Sequence, residues 1–277
     1  MAGSLATKVL NMYGVSVSAV IPSIGRVSLR YAVASALAQS YALKEVIVVL
    51  NGQFDFRNII ESFPPDNRLK IIKLKNAGVS AARNAGISAA TSEFVAFLDD
   101  DDFWYPNKIE IQLRNNLVKQ ADILSCRAKF EGRSNRIKPK RLLENQDLLS
   151  KIYGQRFLFS RNYGIPTPSA IVRTQLARKF PFDEKLSERE DLWFFHTLLK
   201  NGATICQIPD VLLTVNSRKL SGDRNVTLES DIQWFSKLES VKKNLGWSFL
   251  LNVGLRNRVA AGKPFSAVKL FFLALKK

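Results

Sequence analysis

Four consecutive aspartates, Asp99, Asp100, Asp101 and Asp102, follow the apolar run EFVAFL at residues 93–98. Adjacent carboxylates raise each other's pKa unless a cation neutralises them. A divalent metal answers that need, since Mg²⁺ and Mn²⁺ prefer carboxylate oxygen and keep positions open for substrate phosphates. The plainer reading is an acidic turn capping a helix that Pro106 would open, but a place at the end of a buried strand favours the metal. A second acidic block, SEREDLW, carries Glu188, Glu190 and Asp191. Ser187 and Glu190 have the S-x-x-E spacing of a capping box, which offers Glu190 a structural task. His196 is the only histidine, so neither a Ser-His-Asp triad nor a histidine metal cluster can form, and packing is its expected role. Any chemistry must rest on carboxylates.

The elements that would position these groups alternate along the chain. VSVSAVIP from Val15 reads as a strand and LRYAVASALAQS as a helix. EVIVVL at residues 45–50 is a short apolar strand closed by the turn signal Asn51-Gly52. RLKIIKLK at 68–75 repeats the strand pattern, VSAARNAGISAA at 79–90 is a helix of small residues, and EFVAFL is a buried strand. Buried strands alternating with helices imply an α/β fold with a mostly parallel sheet and right-handed crossovers. Such sheets bind ligands at the carboxyl ends of their strands. A helix through KIEIQLRNNLVKQ and a strand at ADILSCRAKF follow. The basic stretch from Arg127 to Arg141, which includes Arg133, is expected to be solvated and irregular. From about Asp231 the pattern is helical. In PFSAVKLFFLALKK, Phe265, Val268, Phe272 and Leu275 share one helical face, which either packs on the main domain or lies in a membrane interface.

VSAVIPSIGR, EVIVVLNG, NAGVSAARNAGI and EFVAFLDDDDFWYPNKIE resemble, in order and spacing, the successive blocks of family 2 glycosyltransferases. The similarity is strong over residues 15–115 and returns more weakly at FDEKLSEREDLWFFHTLLKNG. It implies a GT-A, Rossmann-like fold over residues 15–225, with a nucleotide-binding half at about 15–105 and an acceptor-binding half at about 106–225. A C-terminal helical region at 226–277 would follow. The implied reaction is metal-dependent, inverting transfer from a nucleoside-diphosphate sugar, in the first place a UDP-sugar. Carried over by position, Pro22 and Ser23 lie beside the base, and Asn51 meets it. There the pattern departs from the family's Asp-Asp or Asp-Asn pair, because Leu50 and Asn51 stand instead. Arg83 approaches the donor phosphates. Asp101 holds Mn²⁺ or Mg²⁺, Asp100 contacts the ribose and Asp99 is their neighbour, while Asp102 assists the metal or caps the next helix. The family puts an aspartate base in the second acidic block, for which Asp191 is the candidate and Glu188 and Glu190 are rivals.

Composition bounds the partners. Of 277 residues, 41 are Lys or Arg and 24 are Asp or Glu, giving a formal charge of +17 and an expected affinity for polyanions or anionic surfaces. No zinc finger, RNP-like aromatic block or basic recognition helix accompanies that charge, so nucleic acid is not the expected partner. A sugar-phosphate nucleotidyltransferase would need an N-terminal glycine-rich phosphate loop, which is missing here. Cys126 and Cys206 form no CxxC pair, which fits a reducing compartment. The start, MAGSLATKVLNMYG, does not read as a secretory signal, and no run approaches the roughly 18 apolar residues of a spanning helix. The expected setting is the cytoplasm, peripheral on the inner face of an anionic membrane. A saccharide or lipid-linked saccharide acceptor and cell-surface polysaccharide synthesis go with it.

Overall fold

The computed structural model describes residues 14–53, 55–132, 136–144, 147–153, 162–216, 227–255, 259 and 264–275. The chain start, Arg133 of the basic stretch and the boundary expected at 225/226 lie outside the described residues. The first half runs β1 (Val17–Ser23), α1 (Leu29–Leu37), β2 (Glu45–Asn51), α2 (Arg57–Glu61), β3 (Leu69–Leu74), α3 (Gly78–Ala89) and β4 (Phe94–Phe97). β1, β2 and β4 are buried along their whole length, as their nearly unbroken apolar sequence requires. β3 is half-buried, with Lys70 and Lys73 exposed, because it is the edge of the sheet. These four strands pair in parallel in the order β3-β2-β1-β4, with Ile21 opposite Val48 and Val20 opposite Phe97. The order reverses between β1 and β4, so their carboxyl ends frame the crevice where such sheets take ligands.

The small-residue composition of α3 has a steric cause. A Cβ on Gly86 would lie 2.3 Å from Cγ1 of Val20 on β1, so the helix sits directly on the strand. That contact sets the distance between Arg83, one turn earlier, and the strand ends.

The second half comprises β5 (Phe103–Trp104), α4 (Lys108–Lys119), β6 (Ile123–Glu131), β7 (Arg136–Lys138), α5 (Leu148–Tyr153), a 3₁₀ turn (Thr167–Ser169), β8 (Ile171–Arg173), α6 (Thr174–Lys179), α7 (Glu190–Lys200) and β9 (Ile205–Asn216). Short β8 joins antiparallel to β4 and carries the sheet on through β6 and β9 to β5. The described residues form one nine-stranded sheet.

The basic stretch is more ordered than its charge implies. Arg127 to Glu131 continue β6, and Arg136–Lys138 return antiparallel as β7, with Ala128 opposite Lys138 and Phe130 opposite Arg136. The period of two explains this. Ala128 is buried, Arg127 and Lys129 alternate with it and with Phe130, and the Lys138 ammonium lies 5.2 Å from the Phe130 ring centre. Charge at every second position belongs on a half-buried strand.

α8 (Leu228–Val241), α9 (Lys243–Phe249), a π-helical turn (Leu250–Gly254) and α10 (Pro264–Leu275) complete the chain. Two apolar clusters cover the sheet. A third, built on Trp234, Phe235, Phe249 and Leu270, binds the C-terminal helices to Leu149 and Tyr153 of α5.

Candidate active site

The turn after β4 splits the four aspartates into two pairs. Asp102 N–H donates to Asp99 C=O at 3.1 Å, closing the turn. The Asp100 side chain is 3% exposed, against 32% for Asp99 and 24% for Asp101, and Asp102 is buried. Asp100 accepts from Ser23 Oγ at 2.5 Å and from the Arg26 guanidinium, and Ser23 Oγ in turn accepts from Gly25 N–H at 2.9 Å. Asp102 accepts from Asn216 N–H at 2.9 Å, at the end of β9. It therefore braces the sheet and does not cap α4, whose preceding residue is Asn107. Burial pushes the Asp102 carboxyl well above its ordinary pKa, and Asp99 adds to the shift.

Asp101 stands apart from these bonds. Its nearest cation is Arg26 Nη1 at 3.8 Å. Burial raises its pKa, Asp100 and Asp99 raise it further, and Arg26 offsets part of the rise. An outward carboxylate that still lacks positive charge is a fitting first ligand for Mn²⁺ or Mg²⁺. Such ions take one or two protein carboxylates and complete their shell with water and substrate phosphate. Among the described residues no group of three or more His, Cys, Asp or Glu could hold a metal by itself, so a site here would need the donor's phosphates.

Arg83 joins the two acidic blocks. Its Nη2 donates to Asp99 at 2.9 Å and its Nη1 to Glu190 at 2.8 Å, and its guanidinium lies 5.2 Å from the Phe182 ring centre. The side chain is 5% exposed. Burial opposes its charge, yet Asp99 and Glu190 together hold its pKa above the usual value. Carboxylates from the two acidic blocks, the second 107 residues beyond Arg83, thereby meet on one planar fork.

The capping box expected at Ser187 and Glu190 does not form. Arg189 precedes α7 with φ of +62° and no side-chain cap, and Glu190 is turned to Arg83 instead, because a buried guanidinium with a second open edge binds the carboxylate more strongly than a neutral backbone N–H. Burial raises the Glu190 pKa, Asp191 adds to it and Arg83 opposes. Asp191, next to it, accepts from Thr167 Oγ1 at 3.3 Å and from Leu192 N–H at 2.7 Å. Glu188 is partly buried in the loop before the helix.

Asn51 ends β2 with both amide ends engaged. Its Oδ1 accepts from Ala77 N–H at 2.8 Å and its Nδ2 donates to Gly78 C=O at 3.2 Å. The side chain thus ties β2 to the left-handed turn at Asn76 and Gly78 that opens α3. Pro22 and Ser23 are buried at the end of β1. His196 is buried, its Nδ1 3.8 Å from Asp147 and its ring 5.5 Å from Trp193; burial lowers its pKa, in keeping with a packing role.

Sequence reasoning missed four residues of this arrangement. Arg26 could have been found as the only cation in the SIGR turn that ends β1. Thr167 and the Arg189–Asp231 ion pair, at 3.0 Å, join segments with no local sequence signal.

Comparisons with known proteins bear on the family and the fold. The family model described as glycosyl transferase family 2 matches residues 18–184. An uncharacterized glycosyltransferase of Rickettsia conorii is 36% identical over 124 residues, which are 43% of this chain and 20% of the relative. The chain thus spans about a fifth of the length of that relative. The Escherichia coli protein WfgD, a UDP-Glc:α-D-GlcNAc-diphosphoundecaprenol β-1,3-glucosyltransferase, is 25% identical over 191 residues, covering 67% of this chain and 70% of WfgD. Among solved structures, residues 1–349 of S. aureus TarS superpose with a TM-score of 0.58 at 20% identity, over 92% of this chain and 90% of that one. The UDP-GlcNAc complex of the same protein gives a TM-score of 0.60 at 18% identity, over 88% and 72%. The likeness to TarS establishes the GT-A fold.

Proposed function

The chain belongs to glycosyl transferase family 2, and from that premise we propose that it transfers a sugar from a UDP-sugar to a saccharide or lipid-linked saccharide acceptor, with inversion. One observation carries the reading: Arg83 gathers Asp99 from the nucleotide half and Glu190 from the acceptor half beside the carboxyl ends of β1 and β4. A UDP-sugar donor is supported by the UDP and UDP-GlcNAc complexes of TarS. A lipid diphosphate acceptor is supported by the reaction named for WfgD.

Asp99 and Asp101 are the donor-facing carboxylates, since they point outward while Asp100 is committed to Ser23 and Arg26. This moves the ribose contact from Asp100 to Asp99. Asp101 would hold Mn²⁺ or Mg²⁺, which when bound offsets the charge that grows on the departing diphosphate. Arg83, always protonated, holds Asp99 in place through its Nη2. Asp191 takes the proton of the attacking hydroxyl as general base, oriented by Thr167 Oγ1 and Leu192 N–H. Glu190 is the weaker candidate because Arg83 already binds it. The working place is the cytoplasmic face of a membrane, in cell-surface polysaccharide synthesis. The unit that performs the reaction is residues 15–225.

The test is a screen of UDP-sugars with and without Mn²⁺, reading UDP release and thermal protection. The expected result is UDP release with one donor that needs the metal. Asp191→Asn should lower kcat by about 10²- to 10⁴-fold while thermal protection by the donor persists, and Asp101→Ala should lose the Mn²⁺-dependent part of that protection. Formation of UTP and sugar 1-phosphate from a UDP-sugar and added pyrophosphate, in place of UDP release, would identify a nucleotidyltransferase and sink the proposal, as would full transfer by Asp191→Asn.

A further inference from the structure

We propose that the outward face of α10 docks on an anionic lipid surface. α10 turns Leu270 and Ala274 into the third apolar cluster, against α8 and the π-helical turn, and Ala267 is buried with them. Its other side carries Phe265, Val268, Phe272 and Leu275, which are 89, 54, 58 and 55% exposed. Packing therefore consumes one edge of the helix and leaves the wider apolar face uncovered. A helix on a globular surface ordinarily turns polar residues to water, and four large apolar side chains on one exposed face mark an interaction surface.

Charge identifies the occupant. Residues 241–277 contain eight Lys or Arg and no Asp or Glu, and Lys269 is exposed on α10 itself. An apolar stripe with basic residues around it and no acidic ones is the pattern that buries in the headgroup boundary of anionic lipid. A protein interface of the same size would be depleted in lysine. The helix has 12 residues, about 18 Å at 1.5 Å per residue. Among the described residues no helix is long and apolar enough to cross a membrane, so α10 would lie in the surface plane.

The docking gives the lipid-linked acceptor reading a place to act and rests on it for its purpose, whereas lipid binding itself is independent of sugar transfer. The link to the site is structural. Asp231 of α8 is ion-paired with Arg189, two residues before Asp191. A membrane that seats the C-terminal helices thereby also fixes the loop that carries the base.

Flotation of the full chain with phosphatidylglycerol–phosphatidylcholine vesicles, and with phosphatidylcholine alone, tests the inference. The wild type should partition at least about tenfold more strongly onto the anionic vesicles, and raised salt should weaken it. The double variant Phe265→Ser/Phe272→Ser should lose about tenfold or more of that partition. Its circular dichroism and its thermal protection by UDP-sugar should match the wild type, because both rings are solvent-exposed. Donor protection tests the transferase reading separately on the same samples. The inference is overturned if the wild type does not float, if the double variant floats equally well, or if the two substitutions instead dissolve a soluble dimer.

Discussion

Asp99 and Asp101 face outward from a turn whose intervening residues face inward, so charge is arranged in two layers. The inner layer is closed: Asp100 is satisfied by Ser23 and Arg26, and Asp102 by Asn216 N–H. The outer layer is open at Asp101, where Arg26 at 3.8 Å is the competing cation. An incoming divalent ion must share Asp101 with that guanidinium or displace it toward the donor phosphates. Arg26→Gln is therefore expected to bind Mn²⁺ more tightly than the wild type when no donor is present. A gain of about fivefold follows from the roughly 1 kcal/mol typical of a partly exposed ion pair. The donor's KM should rise, because a phosphate-seeking cation is gone. Isothermal titration with Mn²⁺ alone reads the first effect, and unchanged affinity would show that Arg26 does not contend for the site. At this scale the sequence was informative wherever a residue's role follows from its own block. The aspartate run and Arg83 stand out in their own blocks, and the fold brings Arg83 to Asp99 and to Glu190, beside Asp191. Arg26 was missed, and the capping box at Ser187 was misread. In both cases the deciding partner lies 70 or more residues away, and local spacing carries no information about such partners.

Apolar runs announced β1, β2 and β4, because a strand buried on both faces has no choice but continuous hydrophobicity. The second half obeys a weaker code. β8 is three residues long, too short for any period to emerge, and β6 with β7 hides its alternation among basic residues, one of which, Lys138, sets its ammonium over the Phe130 ring. α4 poses a different problem. Its first residue, Lys108, is fully buried, its ammonium lacks a hydrogen-bond partner, and it lies 4.4 Å from the Trp104 ring centre. Burial pulls its pKa from 10.5 down to about 8. The folded value lies below the unfolded one, so between pH 8 and 10.5 the unfolded chain binds more protons and stability rises with pH. Below pH 8 the cost of burying the ammonium is present in full. A shift from 10.5 to about 8 corresponds to about 3 kcal/mol, reduced by whatever attraction the Trp104 ring supplies. Lys108→Met is thus expected to be the more stable protein at pH 7, with its advantage shrinking toward pH 10.5. Urea unfolding at pH 7 and pH 10 measures both, and a less stable variant at pH 7 would mean that the cation–π contact outweighs desolvation.

The whole molecule is held together at its chemical centre by two arginines, Arg83 buried and Arg189 partly buried. Arg83 couples the nucleotide half to the start of α7, and Arg189 couples that same start to α8 through Asp231. Arg189 adopts φ of +62°, a region that costs a non-glycine residue free energy and persists only where surrounding contacts enforce it. Those contacts are Asp231, 3% exposed, and the Phe249 ring 4.9 Å from the guanidinium. Both come from the C-terminal helices, which therefore act as a splint for the loop that carries Asp191. Asp231→Asn keeps the shape but removes the charge that balances a buried guanidinium, a change that typically costs about 3 kcal/mol or more. Relaxation of Arg189 out of the left-handed region would then swing Asp191 away from Thr167, while Asp99, Asp101 and the nucleotide crevice stay as they are. The expected signature is a fall in kcat of about tenfold or more for a displaced base, with donor thermal protection retained and a lowered melting temperature. Arg189→Gly, which removes the side-chain anchor but relieves the backbone, should lower kcat in the same way with a smaller loss of stability. If Asp231→Asn lost stability yet kept its full kcat, the C-terminal helices would be a support for the fold alone and not for the base.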